Sequence, residues 1–303
     1  MNNFKGLEDK FKKNNSPQQN TIDGQWTQIR WTPDLITNEQ ISIGVFLEEN
    51  GFIHTKFIED YGRLECVYGN EISSNLELAI DLIEYLLKRD WKKSVSPQLV
   101  FDHRGFARGE STQAILEKLF LRAVPFGKAH DVPNDHGDRF PTYRTSNLIT
   151  DIKSRIFSQI GNDVYNIFPE ESWLDIKIGK DVHQIDLPIR PFGTKQIGNI
   201  NSTIYKTYDK FEVNCLTALT DLQLAKKCGM SDDAVLFTLL PNDYSLSLLP
   251  EQEQEKRSNF LKEFEWKLEM NEIVHHKYFE ESDISNKILS WAKNSTPLPD
   301  LFN

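Results

Sequence analysis

Only three cysteines, Cys66, Cys215 and Cys228, occur among the 303 residues. Their number is odd, their spacing is wide and no CxxC pair is formed. That excludes a disulfide framework and a zinc ribbon and fits a reducing cytosol. No run of about 18 apolar residues is present to span a bilayer. The opening MNNFKGLEDKFKKNNSPQQN lacks the apolar core of a signal peptide, so an unexported, cytoplasmic chain with no membrane partner is expected. An excess of positive charge is missing as well: 35 Lys+Arg stand against 45 Asp+Glu, a formal net charge of −10. A broad, non-specific nucleic-acid coat is thereby excluded. The sequence has no P-loop, no GxGxxG, no Ser-His-Asp order, no internal repeat and no low-complexity tract. What it does have is 39% hydrophobic and 26% charged residues, the composition of a globular chain with one or two proper cores.

The pattern along the chain predicts an α/β (α+β) protein of two domains. Residues 1–24 are polar, without sustained periodicity, and read as a flexible arm. A short strand from Gln25 ends at the Pro33-Asp34 turn. ISIGVFLEENGFIHTKFI then predicts a hairpin over Ile41 to Ile58, because Asn50-Gly51 supplies the positive φ a tight turn needs. Leu76, Ile80, Ile83 and Leu87 fall on one face of a helix from Asn75 to about Arg89, capped by Ser73 or Ser74. A strand over Gln98 to Phe101 and a helix over Thr112 to Arg122, with Ser111 as its cap, close a first domain at 25–124. Residues 125–147, rich in Pro, Gly, Asp and His, are expected to be a linker. The second domain, 148–303, is expected to begin with a helix over 148–160 and to continue with strands at 173–178, 182–189 and 200–207. A helix over 210–227, a buried strand at 234–240 and helices over 251–270 and 284–293 follow.

TQIRWTPD, ISIGVFLEENGFIHTKFI and SPQLVFDHRG with ESTQAILEKLFLRAV resemble a bacterial domain-of-unknown-function family, family 3037, over Trp26 to Val124. Its members open with a strand ending in Arg-x-x-Pro-Asp, continue into a Gly-Val-containing strand and end with a leucine-rich helix. The resemblance implies a small cytosolic α/β domain of bacterial or mobile-element origin and brings no catalytic residues.

The second half's order, helix, three strands, helix, strand, resembles the restriction-endonuclease-like nuclease core, the PD-(D/E)xK superfamily. Such a core implies an Asp on the second strand and an acid-x-Lys on the third, so that paired carboxylates hold Mg²⁺ against the scissile phosphate while the lysine activates water. Asp186 in Gln184-Ile185-Asp186 matches the first position and Lys206 in Ile204-Tyr205-Lys206 the lysine. Position 204 is Ile, so the missing acid would have to come from Glu212 or Asp209. A second register reads Asp175-Ile176-Lys177 as acid-x-Lys, but no Asp-bearing strand precedes it.

Two functional readings follow. One is a binding or scaffold protein of a bacterial defence, counter-defence or toxin–antitoxin module, with a degenerate nuclease-like domain, no cofactor and a protein partner for its acidic surface. The other is a Mg²⁺-dependent nuclease in which Asp186, Lys206 and Glu212 are catalytic and Asp186 and Glu212 hold the metal. Lys88, Arg89, Trp91, Lys92 and Lys93 are the candidate nucleic-acid contacts, with Trp91 available for stacking, and the same run also suits a solvated helix C-terminus. Arg104, Arg108, Arg122 and Lys118 form a second basic group suited to a phosphate, or simply to solvent. His130, Asp131, Asp135, His136 and Asp138 could ligate zinc or manganese but read better as an exposed polar loop. His275-His276 is expected on an exposed amphipathic surface.

Overall fold

The computed structural model describes residues 21–89, 91–92, 96–127, 140–178, 180–231 and 233–293. Lys93, the residues 1–20 of the expected arm and the His130, Asp131, Asp135, His136 and Asp138 group lie outside the described residues. The chain divides into two compact units, Met1–Asp131 and Val132–Asn303. Among the described residues no helix is long and apolar enough to cross a membrane.

The first unit is built on strands β1 (Ile22–Trp31), β2 (Ile41–Glu49), β3 (Phe52–Phe57) and β4 (Leu99–Gly109). They form one antiparallel sheet in the order β3-β2-β1-β4. The β2–β3 hairpin turns at Asn50 and Gly51, both at positive φ (51° and 81°), as the Asn-Gly pair predicts. Helices α1 (Gly62–Tyr68) and α2 (Glu71–Leu87) precede β4, and α3 (Thr112–Ala123) follows it.

Each face of the sheet carries packed elements, while the far half of β4 stays largely exposed. On one face the Gln28 amide donates to the Ala123 carbonyl at the end of α3 (2.8 Å). On the other, Trp91 packs edge-on against Phe46 and Phe101. The Ser111 hydroxyl accepts from the Ala114 amide and caps α3. Ser111→Ala is expected to cost about 1 kcal/mol, read as a lower urea midpoint, because one orphan amide of the first turn loses its acceptor. An unchanged midpoint would remove that role.

The expected elements need four corrections in this unit. β1 begins at Ile22, inside the expected arm, and β4 runs on through Asp102 to Gly109, paired with the whole of β1. Helix α1 was not expected, since GRLECVY is too short to show a helical period. Helix α2 starts at Glu71 with no side-chain cap, and the Ser73 hydroxyl instead donates to Glu65 (2.5 Å).

The second unit contains α4 (Thr145–Ile160), the hairpin β5 (Trp173–Ile178) and β6 (Asp181–Asp186), then β7 (Gln196–Ser202), α5 (Tyr208–Lys227) and β8 (Asp233–Leu239). It ends with α6 (Asp243–Ser247), α7 (Glu251–Met270), β9 (Ile273–Tyr278) and α8 (Glu281–Lys293). Strands β7, β8 and β9 are parallel and adjacent in that order, and a single antiparallel bridge, Ile189 to Gly198, ties the segment after β6 to β7.

Ile197, Ala234, Leu236 and Ile273 turn to one face of this sheet, where Phe211 and Cys215 of α5 and Phe260, Phe264 and Leu268 of α7 complete the core. Trp291 of α8 packs on the other face, edge-on to Phe237. The expected third strand at 200–207 is displaced to 196–202. Beyond Ser202 the chain leaves the sheet in a tight turn, Tyr205 N–H to the Thr203 carbonyl, so Lys206 is not a strand residue. The short helix α6 was likewise not expected. His275 and His276, expected on an exposed amphipathic surface, lie half-buried on β9, an element the sequence reading had no strand for.

Candidate functional site

Several polar side chains meet at the C-terminal end of β7, the end of a parallel strand at which α/β proteins commonly bind ligands. The Tyr205 hydroxyl accepts from the Thr145 amide (2.8 Å) and lies 3.2 Å from Asn214 Oδ1. Thr145 Oγ1 accepts from the Ser202 amide (3.1 Å), and the buried Asn201 amide donates to the Cys215 sulfur (3.3 Å). Burial pushes the Cys215 thiol up to about 12, with the Asn201 bond opposing and Glu212 adding. The thiol therefore stays protonated at neutral pH and is no nucleophile.

Arg257 of α7 sits beside this cluster and is 4% exposed. Its Nε and Nη2 donate to Glu253 Oε1 (3.1 and 2.7 Å) and its Nη2 also to the Lys206 carbonyl (3.2 Å). The guanidinium lies between the Phe140 and Phe211 rings, 5.0 and 5.1 Å from their centroids. Nearby, the Tyr143 hydroxyl donates to Asp151 (2.5 Å). Burial, Asp151 and Glu281 together raise that phenol far above its ordinary range.

The three expected catalytic residues fall into two groups. Lys206 is exposed, and its backbone anchors to Arg257. Glu212, on the first turns of α5, acts on Tyr208 and Cys215, so these two residues share one neighbourhood. Asp186 does not join them. Ile185 and Leu187 point into the core beneath α5, and strand alternation turns Asp186 to the opposite face. There its carboxylate, with that of Glu171, opposes the lowering of the Arg190 pKa by burial. Among the described residues no group of three or more His, Cys, Asp or Glu is placed to hold a metal ion. A carboxylate on the side of β6 turned away from α5 and another on α5 itself do not fit the paired ligation that Mg²⁺ chemistry needs.

The expected nucleic-acid row also changes character. Trp91 packs its ring edge-on against Phe46 and Phe101 (5.0 and 5.9 Å between centroids) and is half-buried at the margin of the core, so part of its surface braces the sheet. Arg89 lies over the Tyr85 ring, Lys92 over Trp91, and Lys88 is the C-cap of α2.

The residues that sequence reasoning missed are Thr145, Asn201, Tyr205, Asn214 and Arg257. They belong to separate elements, and no spacing in the sequence links them. A comparison of the chain with family models, curated proteins and solved structures finds no match.

Proposed function

We propose that the chain is a binding protein whose second unit has the helix, three-strand, helix, strand order of a nuclease core without its catalytic constellation. The observation that carries this reading is the position of Asp186, on the side of β6 turned away from α5, apart from the neighbourhood of Lys206 and Glu212. A partner surface is supported by α7, on which Trp266 and Met270, one turn apart, are 58% and 66% exposed. Exposed large apolar side chains of this type anchor protein interfaces, and an acidic chain that meets a protein partner fits the same reading. A defence, counter-defence or toxin–antitoxin setting is the context proposed for that partner.

The element order favours a second reading, Mg²⁺-dependent phosphodiester cleavage, and one experiment separates the two. The full chain, Asp186→Ala and Lys206→Ala are incubated with single- and double-stranded DNA and with RNA in Mg²⁺ or Mn²⁺. The expected result is no cleavage by any of the three. Cleavage by the unaltered chain that both substitutions abolish would overturn the binding reading. In parallel, affinity capture is expected to recover a stoichiometric protein partner that Trp266→Ala loses.

A further inference from the structure

Two stretches singled out in the sequence meet in the first unit: Arg30, from TQIRWTPD on β1, and Asp102-His103-Arg104-Gly105 on β4. Arg30 Nη2 lies 3.1 Å from Asp102 Oδ2, and Arg104 Nη2 lies 2.7 Å from the same oxygen. Arg104 also donates Nε and Nη2 to Gln28 Oε1 (3.1 and 2.7 Å). The Gln28 amide is held in turn by Ser42 Oγ (2.6 Å) and the Ala123 carbonyl (2.8 Å).

The backbone explains why Arg104 reaches this point. Trp26 pairs with Gly105 and Thr27 with His103, which leaves Arg104 as the extra residue of a β-bulge, followed by Gly105 at φ 114°. A bulge re-aims the side chain it carries, and a φ of that sign favours glycine.

The resulting cluster is over-supplied with donors. One carboxylate oxygen serves two guanidiniums, and Arg30 Nε is buried with no hydrogen-bond partner among the described residues. Both side chains remain reachable, Arg30 at 31% and Arg104 at 44% exposure. Glu117 of α3 bonds to Lys56 on β3 (2.7 Å), toward one edge of the sheet. Helical geometry puts Lys118 and Arg122, four residues apart and exposed, on the flank of α3 opposite Glu117. Two guanidiniums therefore share one carboxylate oxygen of Asp102, with two further cations on the facing helix, on a chain whose formal net charge is −10.

We infer that this face of β1 and β4 binds a phosphate group clasped between Arg30 and Arg104. Two planar guanidinium forks match the several non-bridging oxygens of a phosphate, and Lys118 and Arg122 add charge at its rim. A ligand carboxylate would only repeat what Asp102 already supplies. Asp102 holds the two arginines side by side without ligand and competes with the incoming anion. The site belongs to the first unit alone and stands or falls independently of whether the second unit cleaves nucleic acid.

The test is a calorimetric titration of the full chain with inorganic phosphate, with a short 5′-phosphorylated single-stranded oligonucleotide, and with the same oligonucleotide unphosphorylated. Saturable binding is expected, weakened about tenfold or more by Arg104→Gln and by Arg30→Gln. Asp102→Asn is expected to tighten it several-fold, which a merely structural ion pair would not do. Arg122→Gln, at an exposed position, is expected to weaken it about two- to threefold and keeps the test informative if Arg104→Gln unfolds. Tighter binding of either oligonucleotide than of phosphate assigns the group to a nucleic-acid backbone, and binding of phosphate alone assigns it to a small ligand. No saturable binding of any probe, affinity unchanged in Arg104→Gln and Arg122→Gln, or preference for a glutamate-rich peptide over phosphate would overturn the inference.

Discussion

Arg257→Ala is expected to lower the stability of the second unit by about 3–5 kcal/mol, the usual cost of breaking a buried ion pair by removing one partner. Three donations end at once, two to Glu253 and one to the Lys206 carbonyl. The space between the Phe140 and Phe211 rings is left unfilled. Glu253 is 28% exposed and sits in the first turn of α7, where the helix dipole favours a carboxylate, so partial rehydration places the cost toward the lower end. For a unit of this size each kcal/mol moves the midpoint by about 2–4 °C, so a fall of about 6–20 °C is expected in thermal unfolding followed by circular dichroism.

Two further substitutions identify the cause. Arg257→Lys retains the charge but loses the planar fork and its stacking, and should recover only a minor part of the loss. Arg257→Met fills the space and should recover more of it, because Nη1 has no partner among the described residues and removing the guanidinium forfeits nothing there. A midpoint within about 2 °C of the unaltered chain in Arg257→Ala would show that the buried pair contributes no net stability.

What the sequence shows of this fold depends on whether each element advertises itself locally. The β2–β3 hairpin was legible because Asn50-Gly51 fixes its turn, and α2 because Leu76, Ile80 and Ile83 repeat at helical spacing. Strand β9 was not. Its sequence, IVHHKY, is polar at the edge of the sheet and owes its structure to parallel pairing with β8. The same holds for β4, whose DHRGFARG half reads as loop and is extended only because β1 pairs along all of it.

The limits of β7 were misread because polar residues, Asn199, Asn201 and Ser202, are buried along it beside Ile197 and Ile200, and interrupt the aliphatic alternation. Asn199 bonds to the Asp186 carbonyl and Asn201 to Cys215, bonds that appear only once the chain is folded. The alternation Ile185-Asp186-Leu187, in contrast, already carried the orientation that separates Asp186 from Glu212. Two aliphatic neighbours claim the core and leave the carboxylate the other face. Arg257 was hidden for a different reason: a charged residue in the Glu-rich stretch 251–270 looks solvated until its aromatic neighbours are known.

His275 gives the second large effect, and it is a dependence on pH. Its imidazole packs edge-on to Phe264, and its Nε2 lies 2.9 Å from the Thr238 hydroxyl. Its Nδ1 is buried without a partner among the described residues. Burial lowers its pKa from 6.5 to about 4, Lys277 and His276 acting in the same sense and Glu265 against it. In the unfolded chain the ring takes up its proton near pH 6.5, in the folded chain only near 4. Between those values the unfolded state binds more protons, so stability is complete above about pH 6.5 and is lost as the pH falls toward 4. The loss saturates below that, at about 3 kcal/mol.

His276 shifts in the same direction, again mainly through burial, but it is more exposed and on the opposite sheet face, where solvent screening reduces its share. Comparing the unaltered chain with His275→Gln removes that contribution and that of the carboxylates from the difference, and glutamine keeps a group that can bond to the Thr238 hydroxyl. Urea unfolding at pH 7.5, 5.5 and 4.0 should show the unaltered chain losing about 2–3 kcal/mol more than the variant across this range. Parallel loss in the two proteins would show that the ring at position 275 protonates in the folded state without cost, and that the acid sensitivity of this unit arises elsewhere.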